Sequence, residues 1–183
     1  MPHIDLDTTE PGIVGLFRFR PETARPLRDL AEALLRGPGP LTRGERELIA
    51  TVVSTGNRCE FCSKSHGAVA ARELPGGPEE VRSVLSDRSA ASPKLRALLR
   101  IADKVREDAK FVTEPDIDAA RQAGASDVEI HDTVLIAAAF CMYNRYVDGL
   151  ATVAAATQGD YEHMAETISD KGYAATVPVV QSS

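Results

Sequence analysis

A chain of 183 residues with 43% hydrophobic and 26% charged side chains is long enough to enclose a core without staples, and this composition excludes bulk disorder. The formal charge of −6, with lysines and arginines scattered along the chain, excludes a nucleic-acid or anionic-membrane surface, since both need a basic stripe. Three cysteines make no disulfide framework, MPHIDLDTTEPG has no leader-like apolar core, and the longest apolar run, Thr133 to Tyr143, is too short to span a bilayer. A soluble, cytoplasmic protein is expected, in a reducing setting where C-x-x-C is more often catalytic or metal-binding than structural.

Residues 1–20 read as an extended arm. Glu22 to Arg36 carries Leu27, Leu30 and Leu34 at helical spacing and stops at GPGP, residues 37–40. Thr42 with Glu45 forms a capping box, in which each side chain satisfies a free N–H of the other, and the helix it opens runs to about Ser54. After the break at Gly56, Asn57 is placed to cap a helix that carries Cys59, Cys62 and His66 and ends near Leu74. Pro93 to about Asp108 is amphipathic, Thr113 caps EPDIDAARQAG, and Ser126 caps a long helix expected to reach about Thr157. The middle of that helix, VLIAAAFCMY, is apolar all round and is expected to be buried on most sides. The tail, 171–183, reads as a second arm, and only its TVPVV hints at a strand. The fold class is therefore all-α, with one helical domain over 21–170. The loosely similar order of helices in its two halves permits an internal repeat.

The stretch NRCEFCSKSH, residues 57–66, concentrates the chemistry. At about 100° per residue, Cys62 lies near 300° and His66 near 340° from Cys59, so the three share an arc of roughly 60°. In the first turn the helix dipole favours a thiolate, which suits Cys59, and one turn brings the His66 imidazole to the Cys62 sulfur. On the preceding helix Glu45 is explained by its cap but Glu47 is not. Glu47 shares a face with Ala50, Thr51 and Ser54, small enough for a second helix to approach. If the chain folds back at Gly56, a Glu–His–Cys relay results, in which carboxylate orients imidazole and imidazole takes the thiol proton. Two other readings stand beside it. Two thiolates and an imidazole are three zinc ligands lacking a fourth, and Cys141, set in an apolar run, reads as a small core hydrophobe instead. Alternatively the cysteines are inert.

Bland readings serve elsewhere. Arg145 and Asp148 stand i,i+3 as an ion pair, Tyr143 and Tyr146 line a pocket or the core, and His3, His131 and His163 are surface residues.

The run Leu41 to His66, with ERELIATVVS, an asparagine and C-x-x-C-x-x-x-H, resembles the AhpD-like alkyl hydroperoxidases of the carboxymuconolactone decarboxylase superfamily, in their peroxidase-related branch. FRFRPE, residues 17–22, and NRYVDGLAT, residues 144–152, are similar to that family too, so the likeness covers most of the chain. It implies an all-helical AhpD-like bundle forming homo-oligomers, commonly trimers or hexamers. It implies Cys62 as peroxidatic thiol, Cys59 as resolving thiol, His66 as general base and Glu47 as proton relay. The substrate would be a hydroperoxide and the reductant an external thioredoxin-like or lipoyl dithiol. No nicotinamide or flavin fingerprint is present, and no cofactor or resident metal is expected. One departure stands out. Well-known members carry a second histidine immediately before the peroxidatic cysteine, where this chain has Phe61. The alternatives are a disulfide oxidoreductase, a redox-sensing domain without peroxide turnover, and a metal-stabilised helical scaffold.

Overall fold

The computed structural model describes residues 1–176. Nine α-helices order the described chain: α1 Gly12–Phe19, α2 Pro21–Arg36, α3 Arg43–Gly56, α4 Glu60–Glu73, α5 Gly77–Ser86, α6 Pro93–Asp108, α7 Glu114–Gln122, α8 Asp127–Gly149 and α9 Gln158–Lys171. Short 3₁₀ turns follow at Arg88–Ala90, Ala109–Phe111 and Tyr173–Thr176, and there is no strand among the described residues. The TVPVV stretch lies almost wholly outside them. No described helix is long and apolar enough to cross a membrane.

α3 is the central helix. Its Leu48, Ile49, Val52 and Val53 are fully buried against α6 and α8, and its other side packs on α4. The small-residue face works as expected: a Cβ on Gly67 of α4 would stand 3.4 Å from the Thr51 methyl, so the two helices approach closely. Thr42 and Glu45 exchange both bonds of their capping box at 3.2 and 2.8 Å, as do Ser126 and Glu129 at 3.2 and 2.7 Å.

Several boundaries differ from the pattern reading, each for a local reason. Residues 12–19 fall in the arm expected to be extended, yet they form α1 and bury Val14, Leu16 and Phe17. Gly12 starts it at φ +54 with its α-carbon against the Phe61 ring, where any Cβ would collide. Gly77–Ser86, a gap in the pattern reading, is helical, with Val81 and Val84 in the core. α8 ends at Gly149 rather than near Thr157, because the chain turns through Ala151 at φ +49. Thr157 and Asp160 then form a new capping box that opens α9. Asn57 is not the cap of α4. It closes α3, Arg58 takes φ +60, and Cys59 is the N-cap residue, which moves Cys62 into the first turn. α8 is also less enclosed than its composition implies: Val128, Leu135 and Met142, seven residues apart, are 54%, 40% and 43% exposed.

Candidate active site

The break at Gly56 folds α4 back along α3, and that reversal brings Glu47 to His66. The His66 Nδ1 lies 2.8 Å from Glu47 Oε2, with the Glu47 side chain 1% and the His66 side chain 13% exposed. A carboxylate at Nδ1 holds the proton there, leaving Nε2 as the free basic nitrogen. The ring is wedged edge-on against Phe140, centroids 4.5 Å apart.

Cys59 and Cys62 are free thiols, 0% and 3% exposed, packed with Val14, Phe61, Val147 and Tyr161. A hydrogen bond from the Cys59 thiol lowers the Cys62 pKa, and the charge interaction with His66 and the Asn144 amide add to it against the burial cost. The same bond, burial and the neighbouring Asp148 carboxylate push Cys59 far up. The bond thus favours the thiolate on Cys62, with the Cys59 thiol as its donor. This corrects the placing of the dipole-favoured thiolate at Cys59, because the N-cap lies two positions later than the sequence suggests.

Two residues of this site escaped the sequence reading. Asn144 is 1% exposed and spends its donors on Ser54 Oγ at 3.0 Å and on Cys62, while its carbonyl accepts from Asn57 at 2.9 Å. A buried asparagine inside an apolar helix was its available signal. Tyr173, from the turn after α9, donates to Glu47 Oε1 at 2.5 Å, and its oxygen lies 3.2 Å from His66 Nδ1. Nothing local in KGYAAT marks it. Arg145 and Asp148 do not form the expected ion pair: Arg145 donates to the Cys141 carbonyl at 2.9 Å, and Asp148 turns toward Cys59. Tyr143 is in the core, its hydroxyl donating to the Leu27 carbonyl at 2.7 Å, and burial pushes its pKa up to about 12. His3, His131 and His163 are exposed.

Cys62 and His66 open onto a cavity of about 50 Å³. Ile13 and Phe17 of α1, Phe61 and Phe140 make it apolar. Phe61 tilts against Tyr161, ring centroids 6.1 Å apart, and serves as a wall of the cavity. Among the described residues no three His, Cys, Asp or Glu side chains are grouped as metal ligands require.

Residues 21–104 match the model of the carboxymuconolactone decarboxylase family. A crystal structure of an uncharacterized peroxidase-related protein from Silicibacter sp. TM1040 superposes with a TM-score of 0.74 at 27% identity, over 83% of this chain and 78% of that one. The alkylhydroperoxidase AhpD core of an uncharacterized peroxidase-related protein from Ralstonia eutropha JMP134 gives 0.74 at 29% identity, over 85% and 80%. A comparison with curated proteins finds no match.

Proposed function

Because the chain belongs to the AhpD/carboxymuconolactone decarboxylase superfamily, we propose that it reduces small hydroperoxides through Cys62 and Cys59, with His66 as base and Glu47 as relay. The observation that carries this reading is the buried 2.8 Å Glu47–His66 contact beside a cysteine whose pKa is lowered. Decarboxylation of a lactone gives no use for a dithiol, whereas peroxide reduction needs two electrons and a resolving sulfur.

In the proposed cycle His66 Nε2 takes the Cys62 proton. The thiolate attacks the terminal peroxide oxygen, the O–O bond breaks, and the leaving alkoxide takes that proton from His66 and departs as the alcohol. Cys62 is then a sulfenic acid. Cys59 attacks its sulfur, a disulfide forms and water leaves. An external dithiol returns the pair to thiols by exchange, in a reducing, cytoplasmic setting. With both sulfurs almost wholly buried, a slender arm such as a lipoyl dithiol suits the site better than a broad protein surface. The same burial disfavours a disulfide oxidoreductase acting on folded proteins. A homo-oligomer is proposed on the exposed Val128, Leu135 and Met142 stripe of α8, an apolar face that a second copy would cover.

The test is rapid mixing of reduced protein with tert-butyl hydroperoxide, following peroxide loss in wild type and Cys62→Ser. Wild type is expected to consume one equivalent quickly and Cys62→Ser none. Equal consumption by the two proteins ends the proposal.

A further inference from the structure

Resting on the Glu47–His66–Cys62 reading, we propose that Tyr173 is a positioning residue of the relay. By donating to the outer oxygen of Glu47 it keeps that carboxylate aimed at His66, so the site is competent only while the C-terminal turn is seated on α2.

The need for such a donor follows from burial. Glu47 is 1% exposed, and an ionised carboxylate at that depth takes up a proton unless its oxygens are hydrogen-bonded. Oε2 is engaged by His66. For Oε1 the described donor is the Tyr173 hydroxyl, from 126 residues further along the chain. Apart from Glu47, the charged groups near the phenol come from α2, and each has a bond of its own. Arg36 bonds Glu32 at 3.2 Å and the Ser169 carbonyl at 3.1 Å, and Arg28 bonds the Ala174 carbonyl at 3.3 Å. Cys62 of α4 faces His66, and Tyr143 of α8 is committed to Leu27. The phenol is itself a poor acid here. Burial and the Glu47 charge hold its pKa well above the ordinary range, so it stays a donor across the working pH. Its oxygen also faces His66 Nδ1, reinforcing the tautomer that frees Nε2.

The turn is built to deliver this side chain. Tyr173 N–H donates to Glu32 Oε2 at 2.8 Å, and Gly172, at φ +81, lets a Glu32 oxygen sit where a Cβ would be. Arg28 and Arg36 hold the flanking carbonyls from the same helix. Four contacts with α2 therefore fix one phenol oxygen.

The experiment measures the pH dependence of Cys62 alkylation by iodoacetamide, by peptide mass, in a Cys59→Ser background. It needs no peroxide, so it reads Tyr173 whether or not the protein proves a peroxidase. In Tyr173→Phe the carboxylate holds the His66 ring less firmly, and the acid limb is expected to rise by about one unit, a roughly tenfold slower reaction on that limb. Replacing Tyr173 with 3-fluorotyrosine, a stronger donor of nearly the same size, is expected to move the limb the other way, which a packing role would not do. Glu32→Ala, which loosens the turn and leaves the phenol intact, is expected to shift the limb in the same sense as Tyr173→Phe. An unmoved limb in Tyr173→Phe and in the fluorinated protein overturns the positioning role, whatever their melting temperatures. An unmoved limb in Glu32→Ala alone overturns the dependence on seating. A wild-type Cys62 that alkylates like an ordinary thiol sinks the parent reading along with it.

Discussion

Replacing Glu47 with glutamine isolates the charge of the relay from its shape. The amide fits the same space, and its oxygen can still accept from Tyr173, which leaves the NH₂ facing His66 Nδ1. Two donors cannot share that contact, so Nδ1 must become the acceptor and carry its proton on Nε2 instead. The imidazole then carries its proton on Nε2, and its one lone pair, on Nδ1, is taken up by the amide. What is lost is a charge-assisted hydrogen bond, about 1.5–3 kcal/mol, or roughly 10- to 150-fold in the rate of thiolate formation. The fold should survive, because no volume is removed and the buried anion is replaced by a neutral group. Single-turnover mixing with tert-butyl hydroperoxide in a Cys59→Ser background, with the sulfenic acid trapped by dimedone and counted by mass, reads the step directly. A Glu47→Gln protein within about twofold of wild type from acid to alkaline pH would refute the relay, since such a loss is beyond what the amide can hide.

Other consequences follow from the same contacts. Cys59→Ser should complete one turnover and then stall, because the sulfenic acid has no resolving sulfur; intact mass should show Cys62 gaining one oxygen, and turnover with an added dithiol should collapse. Asn144→Ala removes a donor to Cys62 and another to Ser54, so the midpoint of Cys62 alkylation should rise by about one unit, with a melting temperature lower by a few degrees. Away from the site, Asp116 accepts from Lys104 at 2.6 Å and from Thr113 N–H at 2.9 Å, and these bonds hold its pKa well below the usual range. A depressed folded pKa stabilises fully above the unfolded value near 3.9 and is lost as pH falls through the folded one. Asp116→Asn should therefore cost roughly 1–2 kcal/mol at neutral pH by urea denaturation, and the gap to wild type should narrow below about pH 4.

What could be read in the sequence was whatever is local. Capping boxes at Thr42 and Ser126 are written in residues three apart, and the cysteines and His66 share one helical face by spacing alone. The Glu47 contact needed only one further step, a reversal at Gly56 between adjacent helices. Where the reading failed, a distant partner decided the outcome. Residues 12–19 have little reason to be helical until Phe61 and Phe17 meet across the cavity, and Tyr173 gains its role from α2, which no pattern in the tail encodes. Asn57 shows the same limit at smaller scale. Its type suits an N-cap, but a bond to Asn144 across 87 residues outweighs that preference and shifts the start of α4.

That shift bears on how the proposed site would do without the second histidine that the family resemblance implies. With Phe61 in its place the pocket is drier, and a dry pocket makes an uncompensated thiolate more expensive. Moving the N-cap to Cys59 puts Cys62 in the first helical turn, where the dipole is favourable, and leaves the Cys59 thiol beside it as a donor. Asn144 gives a second hydrogen bond, and the charge interaction with His66 acts in the same direction. Four compensations thus converge on one sulfur, and none of them needs a proton carrier at position 61. The apolar wall then becomes an asset: Phe61 closes against the bare α-carbon of Gly12, excluding water that would solvate the thiolate and blunt its attack. Gly12→Ala tests this coupling, because its Cβ must displace the Phe61 ring. The expected result is a leakier cavity, a melting temperature several degrees lower, and a Cys62 thiolate that still forms but attacks peroxide more slowly. If alkylation and peroxide rates both stay at wild-type values while the protein melts lower, the wall serves packing alone.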